Sequence, residues 1–328
     1  MGFFIFKPMR KLVILLMLCP FLSCKQTQNT TDTRFNFNTT SIQQRLDKDL
    51  NRLTHDELGG RLVGTAGQDK AADYLANQFK QMGIQPFYTT YRDSFMVKNK
   101  HAYNVVAYIA GKNKSLNNTP LLVGAHYDHI GIDKRTATTK DSIANGANDN
   151  ASGTVAVLEI ARYFSENPPE RSMIFALFDA EEQGLLGSEH LAQRMKNENQ
   201  ELYGVFNLEM IGVPLKAQNY QAYLTGFDSS NMAQLFNNYT GSNSLGFFEK
   251  AQEFQLFKRS DNYPFYKHLG IPAQTVCTFD FSNYPYYHHV KDEMAHLDLE
   301  HMARLIQVFQ QGLTGMVNAK ENELKFTN

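Results

Sequence analysis

The sequence predicts an α/β protein, a three-layer α/β/α sandwich with a mostly parallel central sheet. Three observations carry this prediction. Short, wholly apolar runs fit strands buried on both faces, and segments of helical period alternate with them. Acidic, amide or imidazole side chains then follow strand after strand, as happens where such a sheet builds a site. With 42% apolar residues in 328, the chain has enough material for one sizeable core.

Lys7, Arg10 and Lys11 precede an apolar run at 12–22, LVILLMLCPFL, which is too short for an ordinary membrane span. A basic segment followed by a short apolar one reads as a secretory signal over residues 1–24. The run closes on Phe21-Leu22-Ser23-Cys24, which resembles a bacterial lipoprotein box whose Cys is lipidated and becomes the new N-terminus. That implies membrane attachment through Cys24 at the cell envelope; an ordinary signal peptide and an uncleaved anchor are the alternatives. Residues 25–40 are polar, rich in Thr and Asn and without period, as a flexible tether would be, so the domain is placed at 41–328.

Helical spacing covers 67–82 and stops before Gly83. Strand-like segments follow at 102–110 and 120–125, then helix at 153–165, strand at 172–178, helix at 185–196 and strand at 203–208. Further strands are expected near 221–225 and 273–278, with a closing helix at about 299–317. The net charge is −1, from 32 basic and 33 acidic side chains, with no dense basic cluster beyond the N-terminus, so a nucleic-acid surface is not indicated. Cys19 falls in the signal and Cys24 at its end, leaving Cys277 with no internal disulfide partner. Its apolar surroundings, Ala273-Gln-Thr-Val-Cys-Thr-Phe, suit a buried small hydrophobe better than a nucleophile.

The run MIFALF at 173–178 ends abruptly in Asp179, Glu181 and Glu182, carboxylates that repel one another unless solvent or a cation receives them. The same happens elsewhere. His126-Tyr-Asp128 follows one strand, Glu209 ends another, Asp149 sits in NGANDNASG before a helix, and YYHHVKD at 286–292 adds imidazoles. Singly, each has a bland reading as a satisfied core His, a helix start that favours acids, or a cap and turn. Their joint occurrence at successive strand ends is what solvation does not explain.

These residues together resemble the zinc-dependent exopeptidases of the bacterial leucyl aminopeptidase, aminopeptidase Y and glutamate carboxypeptidase family. The resembling motifs are His126-x-Asp128, Gly146-Ala-Asn-Asp149-Asn-Ala-Ser-Gly153, Asp179-Ala-Glu181-Glu182, Asn207-Leu-Glu209 and Tyr287-His288-x-x-x-Asp292. Arg61-Leu-Val-Gly-Thr-Ala-Gly67 and Ser260-Asp-Asn-Tyr-Pro-Phe-Tyr266 belong to the same likeness, which covers nearly everything from about residue 45 onward. The resemblance implies two zinc ions: His126 and Glu209 on one, Glu182 and His288 on the other, Asp149 bridging both. It implies that Asp128 accepts from the other ring nitrogen of His126, and that Glu181 is general base for a metal-bound water. At 209 the family more often has Asp; Glu reaches one methylene further. A cis peptide after Asp149 is a further implication. His289 competes with His288, which holds the family's Tyr-His position; His129 is expected at a rim or packing position, and His101, His190, His268 and His296 as structural or solvated.

The function these readings imply is a two-zinc metallo-aminopeptidase acting on peptides. A single-zinc glutaminyl cyclase shares the fold, but the presence of both His126 and Glu209 argues for two metals. A carboxypeptidase for acidic C-termini would need a basic pocket, to which Arg259 or Arg61 could contribute. A metal-free binding module is disfavoured, since a dead site has no reason to keep all five ligands and the base. The aromatic residues of the 214–258 region (Tyr220, Tyr223, Phe227, Phe247, Phe248, Phe254 and Phe257) read as core more readily than as a specificity pocket.

Overall fold

The apolar runs form the middle of a sheet in a computed structural model that describes residues 1–3 and 39–327. The expected signal from residue 4 on, Cys24, and the tether as far as residue 38 lie outside the described residues. The first helix, α1 (Thr39–Leu53), starts two residues inside the segment read as tether. Ile42, Leu46, Leu50 and Leu53 recur at helical spacing on its buried face.

In chain order there follow α2 (Ala66–Gln81), β1 (Gln85–Pro86), β2 (Arg92–Val97), β3 (Lys100–Ile109) and β4 (Leu121–His126). After β5 (Gly131–Ile132) and β6 (Ile143–Ala144) come α3 (Gly153–Glu166), β7 (Met173–Phe178), α4 (Leu186–Asn197) and β8 (Gly204–Glu209). The remainder is β9 (Ala222–Leu224), α5 (Met232–Thr240), β10 (Leu245–Gly246), α6 (Glu249–Glu253), α7 (Asn262–Leu269), β11 (Ala273–Cys277) and α8 (Leu299–Asn318).

The main sheet runs β1-β3-β7-β4-β8-β11-β9-β10, with β2 paired to β3. Its four central strands, β7, β4, β8 and β11, are parallel, as their continuous burial predicts. Both flanks turn antiparallel, through β3 against β7 and β9 against β11, so the sheet as a whole is mixed. Alternation along each strand sends side chains to opposite faces. Val123 and Phe175 pack with α1, α2, α3, α5 and α8 on one face, while Leu122 and Ile174 pack with α4 and α7 on the other. α3 is buried nearly all round because it lies between the sheet and α1 and α8, which is why its sequence, GTVAVLEIARYF, is apolar on almost every side. Parallel neighbours share a carboxyl end, so the last residues of β4, β7, β8 and β11 fall along one edge.

On α8, the Asp298 cap accepts the backbone N–H of His301 at 2.8 Å, and burial pushes the His301 imidazole down from 6.5 to about 4. The native chain therefore resists a proton that the unfolded chain accepts. This stabilisation is complete above pH 6.5 and is lost as the pH falls towards 4. Urea unfolding at pH 7 and pH 4.5 should show the wild type losing about 2 kcal/mol more than His301→Gln. Equal losses would remove the assignment.

Candidate metal centre

Five chain segments converge at the edge where the parallel strands end. His126 is the last residue of β4, and Glu209 the last of β8. Glu181 and Glu182 lie on the loop after β7, His288 on the loop after β11, and Asp149 in the turn Ala147–Ser152 that opens α3. All five residues expected as ligands are brought together, with Glu181 beside them, and His129 also stands with Asp149 and Glu182 in a cluster able to hold a metal ion.

Asp149 stands between two groups. Its Oδ1 is 3.4 Å from His126 Nε2, which is itself 2.9 Å from Glu209 Oε1. Its Oδ2 is 3.2 Å from His288 Nε2, which is 3.1 Å from Glu182 Oε2. Tetrahedral ligands 2.0–2.1 Å from one ion sit about 3.3 Å apart, so each group has the edge lengths of a shared divalent site. Asp149 Oδ2 is buried yet receives no hydrogen bond of acceptable geometry, as a lone pair directed at a cation would not. The residues therefore fit a pair of metal ions.

Charge points the same way. Burial works against a cationic His288, yet Asp149 and Glu182 push it up to about 10. Burial raises the Glu181 carboxyl well above the usual range, reinforced by Glu209, Asp261 and Glu182.

Hydrogen bonds hold these side chains in place. Asp292 accepts the backbone N–H groups of Asn148 and Asp149 at 2.7 and 3.0 Å and the Tyr284 hydroxyl at 2.6 Å, tying the His288 loop to the Asp149 turn. The Asp128 carboxylate accepts from the backbone N–H of Glu181 (3.0 Å) and Glu182 (3.3 Å). It stands 3.6 Å from His126 Nδ1, whose nearer acceptor is the Asp128 backbone carbonyl at 3.2 Å. His126 Nδ1 thus faces both the carbonyl and the carboxylate of Asp128, and that carboxylate also fixes the acidic loop. Glu209 Oε2 accepts from Ser260 Oγ at 2.8 Å, which braces the extra methylene. Ala180, Met210 and His288 all take the left-handed conformation, with φ of 57°, 46° and 51°, so three of the turns that aim these groups carry backbone strain. The Asp149–Asn150 peptide is cis, as expected.

Of the three acids after β7, Asp179 turns inward. It accepts from the backbone N–H groups of Ala180 and Tyr103, each at 2.9 Å, and from the Gln68 amide. Only Glu181 and Glu182 face the centre.

Of the rim and packing positions expected for His129, the structure shows the packing one: it is wholly buried, with Nδ1 2.9 Å from Glu182 Oε1. Its signal was a third polar residue directly after His126-Tyr-Asp128. Arg61 cannot line a pocket. It is completely buried and donates to the backbone oxygens of Leu53, Tyr127, Asn145 and Gly146. These interactions pin α1, the His126–His129 segment and the approach to Asp149 together.

The centre opens onto a cleft with apolar walls that include Met210, Tyr223, Leu256, Phe279 and Tyr287. Tyr223 is wholly buried in a core cluster, as the core reading expects, and also backs the cleft, while Arg259 lies on its lining. Cys277 lies in that lining as a buried thiol that burial pushes up to about 12, so it is no nucleophile. His289 Nδ1 accepts the Lys291 N–H of its own loop, leaving His288 as the imidazole at the centre.

Fold and site together define an α/β/α protein with a carboxylate–imidazole centre for divalent metal. The model of peptidase family M28 matches residues 104–312, and the chain belongs to that family. Leupeptin-inactivating enzyme 1 of Streptomyces exfoliatus is 30% identical over 227 residues, 68% of this chain and 46% of that protein, so the chain spans about half of its relative. A zinc aminopeptidase from Bacillus subtilis superposes with a TM-score of 0.66 at 16% identity, covering 87% of this chain and 97% of the other. Porphyromonas gingivalis glutaminyl cyclase shares the fold at a TM-score of 0.64 and 18% identity, over 84% and 98% of the two chains.

Proposed function

We propose that the protein is a two-zinc exopeptidase, an aminopeptidase that removes N-terminal residues from peptides. The observation that carries this reading is Asp149, whose two oxygens serve two separate imidazole–carboxylate pairs. On this reading His126 and Glu209 hold one zinc, Glu182 and His288 the other, and Asp149 both. Bound zinc supplies Lewis acidity, polarising the scissile carbonyl and making water easier to deprotonate. Glu181 takes the proton of the attacking water at its carboxylate and returns it to the leaving amine. The apolar cleft walls receive a side chain and keep bulk water away from the acid.

The full chain with zinc, incubated with peptides bearing free, acetylated or Gln N-termini, should shorten only the free ones from the N-terminus, as read by mass spectrometry, and chelation should stop this. Shortening from the C-terminus would make it a carboxypeptidase, and loss of ammonia from the Gln peptide a cyclase. No change in any peptide would end the exopeptidase reading.

A further inference from the structure

We propose that His129 is a positioning residue for the second metal position: it donates its Nδ1–H to Glu182 Oε1 and so aims Glu182 Oε2 at the ion shared with Asp149 and His288. This rests on the reading of the centre as a pair of metal sites.

The two oxygens of Glu182 have different partners. Oε1 is 2.9 Å from His129 Nδ1 and Oε2 is 3.1 Å from His288 Nε2. Glu209 repeats the division, with Oε1 beside His126 and Oε2 held by Ser260. A ligating carboxylate whose far oxygen is fixed by a donor loses less freedom when the ion binds. His129 is as rigid as that role requires. Gly146, at φ +60°, lies against the ring, and a Cβ there would sit 2.6 Å from His129 Cγ. Arg61 pins the chain on both sides of this contact, through the carbonyls of Gly146 and of Tyr127 two residues before His129.

Nδ1 lies within 4.8 Å of oxygens of both Asp149 and Glu182, so a ligand role for it is the alternative, but the distances favour His288. Nδ1 is 3.9 Å from Asp149 Oδ2, against 3.2 Å for His288 Nε2. A ligating imidazole hands its other N–H to an acceptor, as His126 does to the Asp128 carbonyl. His129 Nε2 is buried and has no protein partner among the described residues.

The test is zinc binding by the wild type, His129→Ala and His129→Asn, followed by competition with a chromophoric chelator. The Asn amide nitrogen can stand near the place of Nδ1 and donate, but is a poor ligand. Expected is a 10- to 100-fold weakening of one of the two sites in the Ala variant, roughly the cost of losing such a partner, and its recovery in the Asn variant. Two unchanged sites in His129→Ala would overturn the proposal, and an Asn variant as weak as Ala would make His129 a ligand instead. If thermal melts show the Ala variant unfolded, the Asn variant decides alone: it keeps both sites if His129 donates and loses one if it ligates. A wild type that binds fewer than two ions would defeat the reading of the centre itself.

Discussion

Glu181→Gln is expected to lower kcat by about 10²- to 10⁴-fold, the usual contribution of a positioned acid–base group, while metal content and KM stay close to wild type. The amide keeps the size of the side chain but cannot take a proton from water. Glu181 is at the cleft wall beside His126, Asp149 and Glu209, yet none of the groups brought together around Asp149 needs it as a partner. Burial also raises its pKa, so the native fold spends stability on keeping a carboxyl there. Peptide hydrolysis and elemental analysis of the same samples separate the two effects. A variant within a few-fold of wild type would remove Glu181 from the chemistry, and one that lost metal would make it a ligand.

Arg61→Met is expected to cost at least about 4 kcal/mol and to lower Tm by about 10 °C. Three backbone oxygens, of Leu53, Tyr127 and Asn145, would be left without their donor, while that of Gly146 would keep the backbone N–H of Ala151 at 3.1 Å. Each buried unpaired group costs about 1–3 kcal/mol, partly relieved by relaxation. Arg61→Lys should recover little, because an ammonium has three donors around one atom and cannot span the guanidinium's reach. Burial lowers Arg61 only to about 10, so it remains a cation at neutral pH. Differential scanning calorimetry decides the matter: a Met variant melting within about 2 °C of wild type would show that the carbonyls find other partners.

Much of the architecture was legible because it is written locally. The limits of β4, β7 and β8 follow from apolar runs that end where a ligand-bearing residue begins. The edge strand β2 was not read, since its RDSFMV sequence is half exposed and its pairing with β3 is antiparallel at the sheet margin. The five expected ligands were legible as side chains of the right chemistry at successive strand ends. Their supports were not. Arg61 acts on backbone carbonyls, which carry no signature in sequence. Asp292 holds main-chain N–H groups 143 and 144 residues away, and the far oxygen of Glu182 meets His129 only once the β4 and β7 loops are adjacent. Which of three clustered acids turns inward depended on the Gln68 and Tyr103 donors, supplied by α2 and β3.

The distribution of the donors over β4, the turn before α3, β7, β8 and the loop after β11 has a kinetic consequence. On the proposed reading no short fragment carries a complete ligand set, so an ion would find its full coordination only once several strands of the central sheet are assembled. Interactions of that kind are absent from an early transition state, and they slow escape from the native state far more than they hasten its formation. Metal occupancy would then set how long the folded molecule survives proteases and heat, with little influence on how quickly a new chain reaches that state.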